Sequence, residues 1–382
     1  MKTDFISYGK QWISEDDVQA VVDVLHSDYL TQGPEVQKFE NKICEYTGAK
    51  YCVAVANGTA ALHLAVAALG LKPGCEGITT PITFAASANC MLYNEIIPRF
   101  VDIDAHTYNI DPEKISDSIT DSTKLLIPVH FAGQTADMPR IHKIAEDNNL
   151  FMIEDAAHAI GSQYADGSYV GNCKYSDLTT FSFHPVKTIT TGEGGAITTN
   201  SKELYERLLM LRSHGITKDE NKLSMNPGPW YYEMQELGFN YRLTDMQAAL
   251  GISQLSRLDE FKARRREIIA YYNEAFKEIH WITVPSEVEG LSSCFHLYVV
   301  LIDFQKIGLT RAEVMAELLS KRVGSQVHYI LVPQLSYHTI LHSGELPHAE
   351  SYYEQCLSIP LYPRMSNEDV NIVIEAVLNL VS

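Results

Sequence analysis

Lys187 and Asp155 are the two residues whose surroundings most clearly indicate chemistry. Lys187 ends the motif Ser182-Phe-His-Pro-Val-Lys and precedes a glycine-rich stretch, whereas Asp155 ends the apolar run that begins at Phe151. An amine and a carboxylate placed in this way can act at opposite ends of one electron-withdrawing ring. Pyridoxal phosphate is such a ring, because a lysine holds its aldehyde as a Schiff base while a carboxylate keeps its ring nitrogen protonated. The pair therefore predicts a pyridoxal phosphate site with Lys187 and Asp155 as catalytic residues.

The turn Asn57-Gly58-Thr59-Ala60 stands where a strand-like run passes into a helix-like one. Glycine lets the backbone approach a ligand, and the free N–H groups and dipole of a helix N-terminus favour a phosphate there. The hydroxyl of Ser182, shortly before Lys187, can contact the same phosphate. In the alternative interpretation, Thr59 is simply the N-cap of the helix.

Asp155 and Phe84 each have a structural alternative as well. A buried carboxylate requires a partner, and the N–H of a protonated pyridine supplies both a charge and a hydrogen bond. Asp155 could instead cap the segment Ala156-Ala157-His158. Phe84 follows Pro81-Ile82-Thr83 and could stack on a cofactor ring, although aromatic residues more often belong to the core.

The order of the elements predicts the fold class. Short strands alternate with helices, which favours a mainly parallel sheet covered on both faces, with ligands at the carboxyl ends of the strands. We expect a large α/β domain over residues 1–255, with an N-terminal helical segment, and a smaller α+β domain over residues 256–382. Predicted helices cover 14–26, 35–46, 60–69, 85–93, 140–148, 244–261 and 310–321. Predicted strands cover 51–56, 77–80, 98–103, 124–129, 150–154, 294–302 and 325–330.

Composition excludes several classes of function. A formal net charge of −18 argues against general nucleic-acid binding, which requires a basic face. Residues 1–4 lack the apolar core of a signal peptide, and no apolar run is long enough to span a membrane. The seven cysteines form no CxxC pair, which favours reduced thiols in a cytoplasmic protein. His338 and His342 lack a third ligand at motif spacing, so no metal site is predicted, and Arg264-Arg265-Arg266 is interpreted as a solvated helix face.

These motifs together resemble the DegT/DnrJ/EryC1/StrS family of nucleotide-sugar aminotransferases. The resemblance covers essentially the whole chain and rests on four segments: Asn57-Gly-Thr-Ala, Glu154-Asp-Ala-Ala-His158, Ser182-Phe-His-Pro-Val-Lys187 and Gly238-Phe-Asn-Tyr-Arg-Leu-Thr244. It implies the aspartate-aminotransferase fold (type I) with pyridoxal phosphate as cofactor. Lys187 matches the Schiff-base lysine, Asp155 the partner of the ring nitrogen, and Asn240 a residue that reaches the phosphate from the neighbouring subunit of a homodimer. The other implied cofactor positions are Gly58, Thr59, Ala60, Phe84, His158 (also catalytic) and Ser182.

Within the family, the sequence is most similar to the pseudaminic-acid branch, which acts on a UDP-linked 4-keto-6-deoxy-N-acetyl sugar. Many other relatives carry an arginine where this chain has Gln326-Val327. The resemblance implies substrate contacts from Tyr8, Asp28, Tyr29, Leu30, Thr31, Thr59, Ser182, Asn240, Gln326, Val327, His328 and Tyr329. In the alternative, purely structural interpretation, residues 326–329 form an edge strand.

The resemblance implies a transaminase that takes its amino group from L-glutamate. A different nucleotide keto-sugar or a cyclitol ketone is the alternative substrate within this class. From another class, the chain could be a binding protein or regulator of the same fold without turnover. The intact Lys187 and Asp155 weigh against that alternative.

Overall fold

The computed structural model of the chain describes residues 5–339 and 344–381, so residues 1–4 and His342 lie outside the described part. The helices are α1 Glu15–Leu25, α2 Pro34–Thr47, α3 Gly58–Leu69, α4 Ala86–Leu92, α5 Pro112–Ser118, α6 Met138–Asn148, α7 Lys202–Arg212, α8 Asp245–Ser256, α9 Leu258–Phe276, α10 Phe304–Ile307, α11 Arg311–Ser320, α12 Pro347–Gln355 and α13 Asn367–Leu378. The strands are β1 Tyr51–Val55, β2 Glu76–Thr79, β3 Ile97–Phe100, β4 Thr123–Ile127, β5 Phe151–Asp155, β6 Leu178–Ser182, β7 Gly195–Thr199, β8 Ile216–Thr217, β9 Glu233–Met234, β10 Ile282–Thr283, β11 Tyr298–Ile302 and β12 Cys356–Ile359.

A seven-stranded sheet in the order β1-β7-β6-β5-β4-β2-β3 forms the large unit. Strand β7 runs antiparallel to β1 and β6, and the other neighbouring strands are parallel. Both faces are covered, because successive residues of β5, Met152 and Ile153, belong to different hydrophobic clusters. The mainly parallel α/β sheet predicted from the sequence is thus confirmed.

The smaller antiparallel sheet β10-β11-β12 belongs to a separate hydrophobic cluster with α9, α11 and α13. This smaller α+β unit is also confirmed, whereas its predicted boundary at residues 255–256 stays a prediction. The single helix predicted over 244–261 is wrong. Arg257 interrupts it because its N–H bonds to the carbonyl of Gln254, three residues back, which tightens the last turn of α8.

Two further expectations are corrected by the contacts of the small unit. No strand forms over 325–330: only Gln326 pairs with Ser358, and the N–H of Val327 bonds to the side-chain Oε1 of Gln326 instead of a neighbouring strand. Arg265 is not solvated but buried, and its guanidinium donates to the carbonyls of Phe295, His296 and Leu361. Backbone carbonyls bind one nitrogen of this guanidinium where the sequence suggested water.

His338 has a structural partner, since its Nε2 lies 2.9 Å from Oδ1 of Asn89. Across residues 5–339 and 344–381, no group of three or more His, Cys, Asp or Glu side chains could hold a metal ion. Within the same residues, none of the helices has the length and hydropathy that crossing a bilayer requires.

Candidate active site

A cavity of about 1130 Å³ opens at the carboxyl ends of β1, β5 and β6. The first turn of α3 and the segment before α4 form one side, and residues 326–330 of the small unit form the other. Most residues predicted for the site line this cavity, namely Tyr8, Gly58, Thr59, Ala60, Phe84, Asp155, His158, Ser182, Lys187, Gln326, Val327, His328 and Tyr329. The structure thus brings together segments that are up to about 320 residues apart in the chain.

Lys187 lies in the loop after β6, where its N–H bonds to the carbonyl of His184. Burial lowers the pKa of Lys187 to about 8, and the nearby negative charge of Asp155 partly offsets that effect. A lysine with this pKa carries an appreciable fraction of free amine near neutral pH. It can therefore act both as a nucleophile and as a base.

This pKa predicts how the cofactor-free protein captures pyridoxal phosphate. The free-amine fraction of Lys187 should rise roughly tenfold from pH 7 to pH 9 and then level off, since its pKa is about 8. Stopped-flow absorbance after mixing cofactor with protein measures the capture rate, and Lys187→Ala gives the background. A rate that climbs roughly 100-fold over this interval without levelling, as for an ordinary lysine, would contradict the shifted pKa.

Asp155 ends β5, and its carboxylate is buried at the cavity wall. Oδ1 accepts the N–H of Ala157 at 3.1 Å, and Oδ2 accepts the hydroxyl of Ser87 at 2.6 Å. Residues 156–162 form turns and no helix follows, so Asp155 is not a helix cap. The carboxylate is held by neutral donors and faces the cavity, where it can stabilise a cation.

The first turn of α3 and Ser182 meet at the far end of the cavity. Asn57, not Thr59, is the N-cap, because its Oδ1 accepts the N–H of Ala60 at 2.8 Å. A Cβ on Gly58 would lie 2.8 Å from Cβ of Ser182 and 2.9 Å from its Oγ, so glycine permits this approach. The N–H groups of Gly58 and Thr59 have no partner within the helix. Together with the Ser182 hydroxyl they form a donor set suited to a phosphate.

Three histidines of the cavity wall, His158, His296 and His328, lie close enough to Lys187 for its charge to affect them. Burial, aided by the positive charge of Lys187, lowers the pKa of all three, that of His328 to about 3. The rings of His158 and His296 lie 4.4 Å apart, and the hydroxyl of Tyr329 lies 3.0 Å from Nε2 of His158. Nδ1 of His158 and of His296 is buried without a partner. The histidines therefore add neutral polar groups, not charge, to the cavity wall.

The lowered pKa of His328 also predicts how stability depends on pH. The unfolded chain takes up a proton below pH 6.5, whereas the folded chain resists protonation of His328 down to about pH 3. His328 thus contributes stability that is complete above pH 6.5 and is lost as the pH falls, by up to about 1.4 kcal/mol per unit. Urea unfolding of the cofactor-free protein at pH 7.5, 6.0 and 5.0 should show a shallower pH slope for His328→Gln. The same substitution at exposed His26 is the control, and equal slopes for wild type and His328→Gln would contradict the prediction.

The small unit holds its side of the cavity through buried contacts. Nδ1 of His328 lies 2.7 Å from the hydroxyl of Ser358, and the His328 carbonyl accepts the hydroxyl of Tyr352 at 2.7 Å. Tyr8 packs its ring against His328, and its carbonyl accepts the N–H of Leu361. The N-terminal segment and the small unit therefore position this wall together.

Five predicted residues lie outside the cavity wall. Asp28, Tyr29, Leu30 and Thr31 are exposed between α1 and α2, where the Leu30 carbonyl accepts the N–H of Asp245. Asn240 is exposed and pairs through its backbone with Ser213. In a single copy of the chain, these residues do not join Lys187 and Asp155.

The sequence prediction missed Ser87 and His296, which both line the cavity. Ser87 gave no local signal, because its partner Thr83 lies before α4, where the helical spacing of four residues does not apply. His296 gave none, since it reaches the site only through the packing of the small unit on the large one. The cavity also includes His63, Tyr93 and Tyr241, which the sequence did not single out.

The residues present fit pyridoxal phosphate. Lys187 would hold its aldehyde carbon, Asp155 its ring nitrogen, and the α3 amides with Ser182 its phosphate. The buried Nδ1 of His158, which has no partner in the protein, is a feature that a bound polar ligand explains. The cavity thus offers a carboxylate for the ring nitrogen of this cofactor and N–H and hydroxyl donors for its phosphate.

Comparison with known proteins identifies the family. The model of the DegT/DnrJ/EryC1/StrS aminotransferase family matches residues 11–378. The chain is 41% identical to spore coat polysaccharide biosynthesis protein SpsC of Bacillus subtilis (strain 168), over 99% of this chain and 97% of SpsC. It is 38% identical to a UDP-4-amino-4,6-dideoxy-N-acetyl-beta-L-altrosamine transaminase of Campylobacter jejuni subsp. jejuni serotype O:23/36 (strain 81-176), over 98% of this chain and 97% of the relative.

The structure is similar to that of Helicobacter pylori PseC, an aminotransferase involved in the biosynthesis of pseudoaminic acid. The TM-score is 0.92 at 30% sequence identity, and the match covers 99% of each chain. The family, the enzyme class and the cofactor predicted from the sequence are thereby confirmed. The chain belongs to the DegT/DnrJ/EryC1/StrS family and is a pyridoxal-phosphate-dependent aminotransferase.

Proposed function

We propose that this aminotransferase moves an amino group from L-glutamate to C4 of UDP-2-acetamido-2,6-dideoxy-beta-L-arabino-hex-4-ulose. The product is UDP-4-amino-4,6-dideoxy-N-acetyl-beta-L-altrosamine, a step of pseudaminic acid biosynthesis. Membership of the family implies a keto-sugar and an amino donor as substrates. The name of the Campylobacter jejuni relative supports the particular sugar, and that of the Helicobacter pylori structure supports the pathway.

The proposal rests mainly on which residues line the same cavity. The lysine and carboxylate that suit pyridoxal phosphate share a cavity with Tyr8 and residues 326–329, the segments implied by the resemblance to contact this sugar. The cavity, at about 1130 Å³, exceeds the usual volume of small-molecule pockets and leaves room for a large substrate beside a cofactor. A nucleotide-linked sugar is a substrate of that size.

Lys187 and Asp155 have different roles in the proposed reaction. Pyridoxal phosphate, when bound, supplies an aldehyde that captures amines and a ring that withdraws electrons. The amine of Lys187 takes a proton from the α-carbon of glutamate and later delivers one to C4 of the sugar. Asp155 holds a proton at the ring nitrogen, so that the ring withdraws electrons most strongly at the moment of proton transfer.

A different nucleotide keto-sugar or a cyclitol ketone is the second candidate substrate. The 41% identity to SpsC, which is named for spore coat polysaccharide biosynthesis, favours this alternative. Gln326 and Val327 at the cavity wall have no charge with which to select among sugars, so their shape and hydrogen bonding must do so.

The experiment that separates the substrates is a panel of UDP- and dTDP-linked 4-keto sugars and cyclitol ketones, each tested with L-glutamate. We expect the highest kcat/KM for the UDP-linked arabino 4-ulose, with NMR of the product showing an amine at C4 in the altro configuration. A higher kcat/KM for another ketone would replace the proposed substrate. The proposed donor fails if L-glutamate gives no 2-oxoglutarate.

We further propose that two copies of the chain share their active sites. In the described part of the chain, Lys187 is the one lysine or arginine that lines the cavity, although a cofactor phosphate and a nucleotide diphosphate must both bind. Large apolar side chains in the segment that precedes Asn240 are exposed, among them Trp230 and Leu237. A second copy would cover these side chains and supply Asn240 to the neighbouring phosphate site.

Mixing two inactive variants tests whether two copies of the chain share an active site. Lys187→Ala and Asn240→Ala each damage a different half of a shared site, so a mixed dimer contains one undamaged site. After random reassociation, activity should reach roughly a quarter of the wild-type value. Activity that stays at the average of the two variants, or a monomer in sedimentation analysis, would contradict a shared site.

A further inference from the structure

Ser87 is bonded to the catalytic carboxylate from the side of α4. Its Oγ lies 2.6 Å from Oδ2 of Asp155, and the hydroxyl of Thr83 lies 2.7 Å from the same Oγ. All three side chains are buried and line the cavity. Thr83 lies in the bend just before α4 and Ser87 in its first turn, so this bend brings the two hydroxyls together.

The directions of these hydrogen bonds follow from the groups themselves. A carboxylate only accepts, so the single hydrogen of Ser87 is donated to Asp155. The other acceptor within reach, the carbonyl of Phe84, is farther away at 3.3 Å. The Ser87 oxygen then accepts the hydroxyl of Thr83, which gives a relay from Thr83 through Ser87 to Asp155. Hydroxyls linked in this way polarise one another and strengthen the final bond.

The relay fixes the carboxylate from one side, and the backbone fixes it from the other. Oδ2 is held by Ser87 and Oδ1 by the N–H of Ala157, so rotation of the carboxylate would break one of these bonds. Each oxygen keeps a second lone pair for a ligand in the cavity. A carboxylate that must hold a proton at one ring nitrogen gains from a fixed orientation, because misplacement costs rate.

We propose that Ser87, supported by Thr83, is a positioning residue that orients Asp155 toward the ring nitrogen of the cofactor. This inference rests on the aminotransferase chemistry of the family and not on the identity of the sugar. It assigns to α4 a part in the reaction that is separate from cofactor stacking by Phe84.

The test uses the holoenzyme reconstituted with pyridoxal phosphate that carries ¹⁵N in the ring. In Ser87→Ala we expect the ring ¹⁵N shift to move toward that of an unprotonated pyridine. We also expect kcat to fall roughly 10- to 100-fold while KM for glutamate stays within about twofold, as for loss of a hydrogen bond to a charged group. Ser87→Thr, which keeps the hydroxyl, should restore both the ¹⁵N shift and most of kcat.

A matched control separates positioning from packing. Thr79 in β2 is a buried threonine whose hydroxyl bonds to the carbonyl of Ile127. Thr79→Val removes a buried hydrogen bond without touching Asp155, so it should lower stability and leave the ¹⁵N shift unchanged. If Ser87→Ala fails to fold, Thr83→Val removes only the outer member of the relay and should move the ¹⁵N shift in the same direction by less. An unchanged ¹⁵N shift and kcat in Ser87→Ala, or in Thr83→Val where that variant stands in, would overturn the proposal.

Discussion

Replacing Lys187 with alanine is expected to lower turnover by roughly 10⁴-fold or more. In the proposed mechanism this amine is both the nucleophile for the aldehyde and the base for the two proton transfers, and acid–base catalysis alone contributes about 10²- to 10⁴-fold. Its lowered pKa, about 8, makes the amine available for both tasks near neutral pH. Single-turnover measurements with glutamate would show the loss directly, because they remove product release from the rate.

Two variants serve as controls for this prediction: one keeps a positive charge at position 187, and the other removes a lysine outside the cavity. Lys187→Arg keeps a cation in the cavity but not a nucleophile, so it should be as inactive as Lys187→Ala. Lys143→Ala removes an exposed lysine that pairs with Asp147 on α6 and should leave turnover unchanged. Small external amines should partly restore proton transfer in Lys187→Ala. Turnover within tenfold of wild type in Lys187→Ala would mean that another group performs the chemistry.

Replacing Asp155 with asparagine is expected to lower kcat by roughly 10²- to 10³-fold while the cofactor stays bound. The amide has nearly the same shape but no charge, so it cannot hold a proton at the ring nitrogen through the transfer steps. The donors proposed for the phosphate, at the start of α3 and on Ser182, are untouched by this change, which is why cofactor binding should survive. Absorbance titration with pyridoxal phosphate and steady-state kinetics measure the two effects separately.

The neighbouring Glu154 provides a matched control for Asp155. Its carboxylate is fully buried on the opposite face of β5, where it accepts from Tyr164 and Ser176 and bonds to Nε2 of His130 at 2.8 Å. Glu154→Gln disturbs a buried network and should lower stability, yet it should leave kcat within a few-fold of wild type. Equal losses of kcat in Glu154→Gln and Asp155→Asn would show that the effect is structural and not electrostatic.

Much of the site could be predicted from the sequence because its polar residues lie at or just after the ends of strands. Asp155 ends β5, Ser182 ends β6, and Thr59 follows β1, so their side chains meet at the carboxyl edge of a mainly parallel sheet. This rule requires only the order of strands and helices. It does not require their detailed packing, which is why these residues could be placed together from the sequence.

What the sequence could not predict depends on contacts between distant segments. Ser87 and His296 enter the site through α4 and through the small unit, and neither has a local pattern that indicates where its side chain points. The antiparallel direction of β7 could not be predicted either, because Gly195–Thr199 has the same sequence pattern as any other buried strand. Arg265 appeared solvated because the carbonyls that bind it lie about 30 or more residues away.

The most direct test of the central claim is to reduce the yellow holoenzyme with borohydride, digest it and locate the cofactor by mass spectrometry. Reduction fixes pyridoxal phosphate on whichever lysine holds it. We expect the cofactor mass on the peptide containing Lys187 and on no other lysine. The assignment of Lys187 as the cofactor-binding lysine would be contradicted if the cofactor were fixed on a different lysine or on none.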